Sequence, residues 1–229
     1  MALLGSAALA MWWDVAAEQR ADFEHWHSHE HFPERLSIPG FRRASRWGSA
    51  EGGDGFFVMY DLESHDVLSS RAYLAHLNSP TPWSTRLMPH HRNMVRSQCR
   101  VLASRGSPVA RHALTLRLSP APERTAALRE AMTDLVARLP SQAGLTGAHL
   151  LEHETPPIAA TTEQMLRGHA DRAADWVLVV CGYDEAALRG LGGEHGRLGD
   201  AALAAHGAAP QPFRGLYTLA HTAMPPDLA

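Results

Sequence analysis

The chain is poor in cysteine, has no long apolar run and gathers no positive charge, and each scarcity removes a class of function. Only two of its 229 residues are cysteine, Cys99 and Cys181. They lie far apart, each inside an apolar strand-like run, and read as buried thiols in a reducing compartment rather than a disulfide framework. That predicts a cytoplasmic protein. No apolar run approaches the roughly 20 residues that a membrane-spanning helix needs, so no membrane is expected as partner. The opening Met-Ala-Leu-Leu-Gly-Ser-Ala-Ala-Leu-Ala has the look of a signal peptide but lacks a positive start and runs straight into Met11, Trp12 and Trp13; it reads better as a first strand. The net charge is −3, and no basic run or aromatic-basic ladder is present, which argues against nucleic acid. Gly190-Leu-Gly-Gly and Gly52-Gly-Asp-Gly lack the context of a phosphate-binding loop. The second reads as a hairpin turn, and no cofactor is expected.

What is present is concentrated in residues 22–41, where four histidines and three glutamates share one predicted amphipathic helix that ends at Pro39-Gly40. At 3.6 residues per turn, Phe23, Trp26, His27, Glu30 and Glu34 fall on one face, His31 sits at its margin, and His25 and His29 point to solvent. An unpartnered buried polar group costs roughly 1–3 kcal/mol, so a histidine and a glutamate beside a phenylalanine and a tryptophan need internal partners or a wet cavity. A ligand pocket is the sharper explanation.

Alternation and turn signals predict strand 6–14, helix 18–36, strand 40–48, strand 55–62, helix 65–77 and strand 93–103, the order βαββαβ. A polar linker from Ser104 to Val109 follows, after which strand 113–118 and helix 122–139 restart the pattern. Leu9, Met11 and Trp13 answer Leu114, Leu116 and Leu118, Gly40-Phe41 answers Gly144-Leu145, and strand 56–62 answers 176–182. The fold class is therefore read as α+β, with one ferredoxin-like unit in 1–105 and a second in 106–229. The second carries an added loop at about 152–175, in which Thr161 or Thr162 caps a short helix. Glu163 and Arg167 on that helix are expected to be an i,i+4 pair on a solvated face.

Tandem βαββαβ units, with Phe23, Trp26, His27, Glu30 and His31 on the first helix and Ile38-Pro39-Gly40-Phe41 after it, resemble the dimeric α/β-barrel superfamily, and within it the EthD-like branch. Arg46-Trp47 on the next strand and Tyr60-Asp61 closing the third complete a likeness that is best over 6–103 and rests on topology over 106–224. The superfamily includes muconolactone isomerases, small polyketide cyclases, cofactor-free monooxygenases and haem-handling enzymes. The resemblance implies that two ferredoxin-like units join their sheets as a barrel within one polypeptide. It also implies that a small hydrophobic molecule enters between a sheet and its helices; further assembly as a homodimer stays open. Fold alone does not choose a reaction.

His27 and Glu30 lie one turn apart, so the carboxylate can orient the imidazole while the other ring nitrogen takes a proton next to a substrate carbonyl; His31 can play the same part. These three are the candidate catalytic residues. Trp26, Phe41 and Trp47 are candidate apolar walls, and Arg46 and Tyr60 candidate holders of an oxyanion. The matching helix of the second half has Ala131, Met132 and Val136 in place of the aromatic and histidine positions, which favours a site in the first half. His27-Ser-His-Glu30-His31 also satisfies the zinc pattern His-x-x-Glu-His, but Pro33 should break the helix just after it and no third ligand is declared, so no metal is expected. A haem reading would need His149 or His206 in a deep apolar pocket. The function expected is a cofactor-independent isomerase, cyclase or monooxygenase acting on a hydrophobic carbonyl compound, the alternative being a noncatalytic binding or accessory protein of the same fold.

Overall fold

A computed structural model describes residues 3–168 and 171–228. The first half runs β1 (Ala7–Asp14), α1 (Arg20–Trp26), a π-helical turn (His27–His31), α2 (Phe32–Leu36), β2 (Phe41–Ser49), β3 (Gly55–Leu62), α3 (Arg71–Asn78), α4 (Pro82–Leu87) and β4 (Arg92–Gly106). The second runs β5 (His112–Leu118), α5 (Thr125–Arg138), β6 (Leu145–His153), α6 (Thr162–Leu166), β7 (Trp176–Gly182), α7 (Glu185–Gly192), α8 (Asp200–His206) and β8 (Phe213–Ala223). Hydrogen bonding places the strands in the order β4-β1-β3-β2 in one half and β8-β5-β7-β6 in the other, the ferredoxin-like arrangement. Strands and helices mix in both halves, so the mixed α+β class read from the sequence is the class observed.

One compact unit consists of residues 4–100, 154–173 and 220–229. Within it β1 pairs antiparallel with β3 and β4, with Leu9 opposite Tyr60 and Met11 opposite Val58. Alternation then sorts the side chains. Leu9, Met11 and Trp13 join Phe56, Val58 and Tyr60 under the helices in one apolar core with Phe23, Trp26 and Phe32. On the opposite face Trp12 and Trp47 stack on either side of Phe57, with ring centroids 5.1 and 5.2 Å away. The second unit, from residues 101–153 and 174–219, packs Leu128, Met132 and Val136 of α5 as its buried helix face. Cys99 and Cys181 are buried thiols on β4 and β7. Among the described residues no helix is long and apolar enough to cross a membrane.

Several predicted elements are divided. The helix expected at 65–77 is a 3-10 turn (His65–Ser69) followed by α3, whose start is capped by the Ser70 hydroxyl accepting from the Tyr73 N–H at 3.2 Å. A further helix, α4, is capped by Thr81, which accepts from the Ser84 N–H at 3.0 Å. The helix expected at 18–36 keeps its length but not its winding. Pro33 does not end it; α2 continues to Leu36. Proline has no N–H to offer the carbonyl four residues back, and its ring crowds that carbonyl. The chain meets this by widening one turn beforehand, with the Phe32 N–H bonding the His27 carbonyl five residues back.

Gly40 and Gly144, which the register pairs between the halves, both take left-handed backbone, with φ of 95° and 88°. Each turns the chain from a helix into a strand. A Cβ at Gly40 would lie 2.3 Å from the Val67 side chain, whereas one at Gly52 in the β2–β3 hairpin, φ 77°, would meet nothing. Gly52→Ala should therefore cost about 1–2 kcal/mol for backbone alone. Gly40→Ala should cost about 2–4 kcal/mol once overlap is added. Urea midpoints of the two variants measure the difference, and equal losses would show that the Val67 contact carries no weight.

Candidate functional site

The widened turn decides which side chains reach the interior. A π turn winds fewer degrees per residue than an α-helix, so His31, at the margin of a regular wheel, comes to face inward with His27; their exposures are 7% and 1%. Their ring centroids lie 5.4 Å apart. His25 and His29 stay exposed, as the helical wheel predicts. Glu30 does not pair with His27. Its Oε1 accepts instead from Trp26 Nε1 at 3.0 Å and from Thr81 Oγ1 at 2.5 Å, which ties the helix to the start of α4. The carboxylate behind a histidine is Glu34, whose Oε2 lies 3.6 Å from His31 Nδ1.

His27 and His31 line a cavity of about 40 Å³ within this unit, together with Leu9, Met11 and Trp13 of β1, Trp26, Tyr60 and Tyr73. That is room for roughly three water-sized spheres. Trp26 and Tyr60 among the expected wall residues therefore reach it. Phe41 supports it from behind, its ring 5.5 Å from that of Tyr60 and 5.3 Å from that of Tyr73. Arg46 stands behind His27. Trp47 does not reach the cavity, because its position opposite Phe57 places it on the other face of the sheet.

The remaining lining comes from places the helix motif does not reveal. His91, Met94 and Arg96 enter from β4 and the turn before it, and Ile158, Thr161, Glu163, Gln164 and Arg167 from the added segment of the second half. That segment packs in the same compact unit as the first-half helices. Thr161 caps α6 as expected, in a capping box with Gln164. The solvated Glu163–Arg167 pair is not found. Glu163 is buried and bonded to Arg35, while Arg167 clasps Asp171 with two bonds of 3.1 and 2.5 Å. A carboxylate and a guanidinium facing a cavity are better served by separate buried partners than by each other across one solvated turn.

Partners fix the chemistry of each imidazole. Arg46 can only donate, so its 3.3 Å contact with His27 Nδ1 makes that nitrogen the acceptor and leaves the ring proton on Nε2. Arg46 is itself held by the Glu24 carbonyl and the Ser28 hydroxyl. His91 is the converse: Nδ1 lies 3.1 Å from the Met88 carbonyl, which can only accept, so the proton is on Nδ1 and Nε2 is the acceptor. Burial holds His27 and His31 well below the ordinary imidazole range, with Arg46 adding to it at His27 and Arg35 at His31. Burial, then Arg167, pulls His91 down to about 4. All three are neutral at pH 7. The Tyr60 hydroxyl is buried without a hydrogen-bond partner among the described residues, and burial pushes its ionisation upward. Arg35, paired with Glu163 and Glu34, is held charged.

The described residues bring no three His, Cys, Asp or Glu side chains together as a metal-binding group. His149, the residue a haem would need on the second half's β6, lies 2.8 Å by its Nδ1 from the Ser104 hydroxyl. His206, at the end of α8, sits in a surface groove between α5 and α8.

Three neutral buried histidines set the acid response. Their pKa values are lowered on folding, so between those values and about 6.5 the unfolded chain binds more protons than the folded one, and stability falls as pH falls. The loss begins below about pH 6.5 and, for His91 alone, reaches about 3 kcal/mol by its folded value of about 4. Urea unfolding at pH 7.5, 6 and 5 should show a midpoint that declines from pH 6.5 downward. A midpoint constant down to pH 5 would mean that these rings are not buried neutral.

No family model and no curated protein matches the chain. Solved structures do. An anthrone oxidase-like protein aligns over 98% of this chain and 96% of its own, at 11% identity and a TM-score of 0.64. A candidate monooxygenase of Fusobacterium nucleatum subsp. nucleatum aligns over 97% and 96%, at 9% identity and a TM-score of 0.60. One from Lactobacillus acidophilus aligns over 96% and 97%, at 10% identity and a TM-score of 0.55. At these identities the likeness is one of fold, and the fold is that of the dimeric α/β-barrel proteins.

Proposed function

We propose that the cavity between α1, the π turn and β1 is the active site of a cofactor-independent enzyme of the EthD-like kind, which moves a proton next to the carbonyl of a small hydrophobic compound. The observation that carries the proposal is the set of neutral histidines that share one cavity, with His27 fixed as a donor by Arg46. His27 presents Nε2–H as a donor to a carbonyl oxygen, and the unpartnered Tyr60 hydroxyl is a second donor for the oxyanion that forms. His31, with Glu34 behind Nδ1, is the base, its Nε2 taking the proton. Glu30 acts only as a brace through Trp26 and Thr81. Trp26 and Met88 supply apolar wall, and Met88 and Met94 have the flexibility to yield to a larger guest.

A carbanion made in this way can be reprotonated elsewhere, can attack a second carbonyl, or can meet dioxygen. These are the isomerase, cyclase and monooxygenase outcomes. The names of the similar structures favour the last. Anthrone is the probe of choice: removal of a C10 proton and reaction with one dioxygen gives anthraquinone and one water, with no external reductant needed.

The test is oxygen uptake with anthrone, beside exchange of its C10 protons in deuterated buffer. His31→Gln should lower both at least 100-fold, and His91→Gln less than tenfold, with melting temperatures within a few degrees of the parent. Because the base is already neutral at pH 7, the rate should stay flat from pH 8 to 6.5 and fall only well below that. Full exchange in the His31→Gln protein would remove it as the base. Failure of the unaltered chain to exchange anthrone or other enolisable ketones, with saturable binding of them, would favour the noncatalytic binding protein.

A further inference from the structure

Among the described residues, the buried cations around the cavity do not all have a carboxylate. Arg35 has Glu163 and Glu34, and Arg167 has Asp171. Arg96 lines the same cavity from β4, is 8% exposed, and has as its side-chain partner the Tyr73 hydroxyl, at 2.8 Å. Among the described residues no carboxylate forms an ion pair with this guanidinium. Taking a cation out of water costs several kcal/mol unless an anion is supplied. The three histidines that share the space are neutral and supply none.

We infer that the Arg96 guanidinium, with Tyr73 holding one of its nitrogens, is a carboxylate subsite, so that the compound acted on in this cavity is an acidic one. The inference rests on the proposed function and narrows it: the substrate carries a carboxylate as well as its reactive carbonyl. Arg96 would hold the carboxylate while His27 and His31, on the turn between α1 and α2, line the same cavity. A guanidinium offers a planar fork that a carboxylate matches with two parallel bonds, and the bond to Tyr73 orients that fork before the ligand arrives. Because Tyr73 is packed against Phe41 at 5.3 Å and lies under the Arg35 guanidinium, its hydroxyl is a fixed anchor.

The experiment needs no turnover. Intrinsic fluorescence, to which the cavity residues Trp13 and Trp26 contribute, is titrated with sodium formate and sodium acetate, and in parallel with formamide and acetamide, at constant ionic strength. The acids should produce a saturable change and the neutral amides of the same shape none. Arg96→Gln should weaken acetate binding at least tenfold and, because it removes an unanswered buried charge, should melt no lower than the parent. Arg96→Lys should keep the preference for acid over amide with reduced affinity, since it keeps a point charge but loses the fork. Equal binding of acetate and acetamide, no saturable change with either acid, or unaltered acetate binding by the Arg96→Gln protein would each overturn the inference. The comparison of acid with amide on the unaltered chain stands without any variant. The titration and the anthrone assay are read separately on the unaltered chain, so loss of anthrone chemistry would leave carboxylate binding to be read directly, and absence of carboxylate binding would leave the anthrone result standing.

Discussion

One missing N–H shapes the site. Pro33 cannot continue an α-helical ladder, and the turn before it widens so that Phe32 reaches back to His27. Two consequences follow from that single change of phase. His27 and His31 both turn inward, where a regular helix would have left His31 at the margin. Glu30 swings away from His27 to brace Trp26 and α4. The helix thus delivers two neutral rings to the cavity and keeps its carboxylate outside.

The second constraint is charge. Arginines placed in a low-dielectric interior must be matched, and the chain matches Arg35 and Arg167 with acids that come from the added segment of the second half, Glu163 and Asp171. The segment is therefore more than extra surface. It supplies cavity wall and counter-charge together; removing Asp171 would break the buried pair of Arg167, at about 3–5 kcal/mol, while removing Glu163 would leave Arg35 with Glu34 alone. A cavity bounded this way is stiff where the ion pairs are and soft where Met88 and Met94 are.

Much of this was written plainly in the sequence. Short continuous apolar runs in β1, β3 and β7 and the glycines before β2 and β6 were legible, because a strand buried on both faces and a left-handed turn each leave a local mark. The richness of residues 22–41 in histidine marked the helix that carries His27 and His31. What the sequence concealed was non-local or non-ideal. A wheel of 3.6 residues per turn paired His27 with Glu30, whereas Glu30 braces Trp26 and the carboxylate beside a histidine is Glu34, three residues after His31. Glu163 and Arg167 carry the spacing of a surface pair, and nothing near Glu163 says that its partner is the distant Arg35, while Arg167 turns to Asp171 one turn further on. Trp47 read as a wall because strand parity could not be fixed across the irregularity between Phe41 and Arg43. His91 and Arg96 belong to no motif; the one trace of them is a cluster of polar residues at the start of a strand whose later residues are buried.

Polarity, more than basicity, is what burial gives these histidines. An exposed imidazole near pH 7 is part cation and exchanges its proton between two nitrogens, so neither role is fixed. Here desolvation removes the cation, and a donor-only neighbour at His27 and an acceptor-only neighbour at His91 remove the choice of tautomer. The result is a cavity in which hydrogen-bond donors and acceptors have set positions before any ligand enters. Enolisation asks for a donor where negative charge will grow on oxygen, the part of His27, and an acceptor where a proton will leave carbon, the part proposed for His31. A fully charged histidine could donate but not accept, and a freely exchanging one would spend half its time in the wrong form. Excluding water from these rings therefore serves the proposed proton transfer as directly as it serves packing.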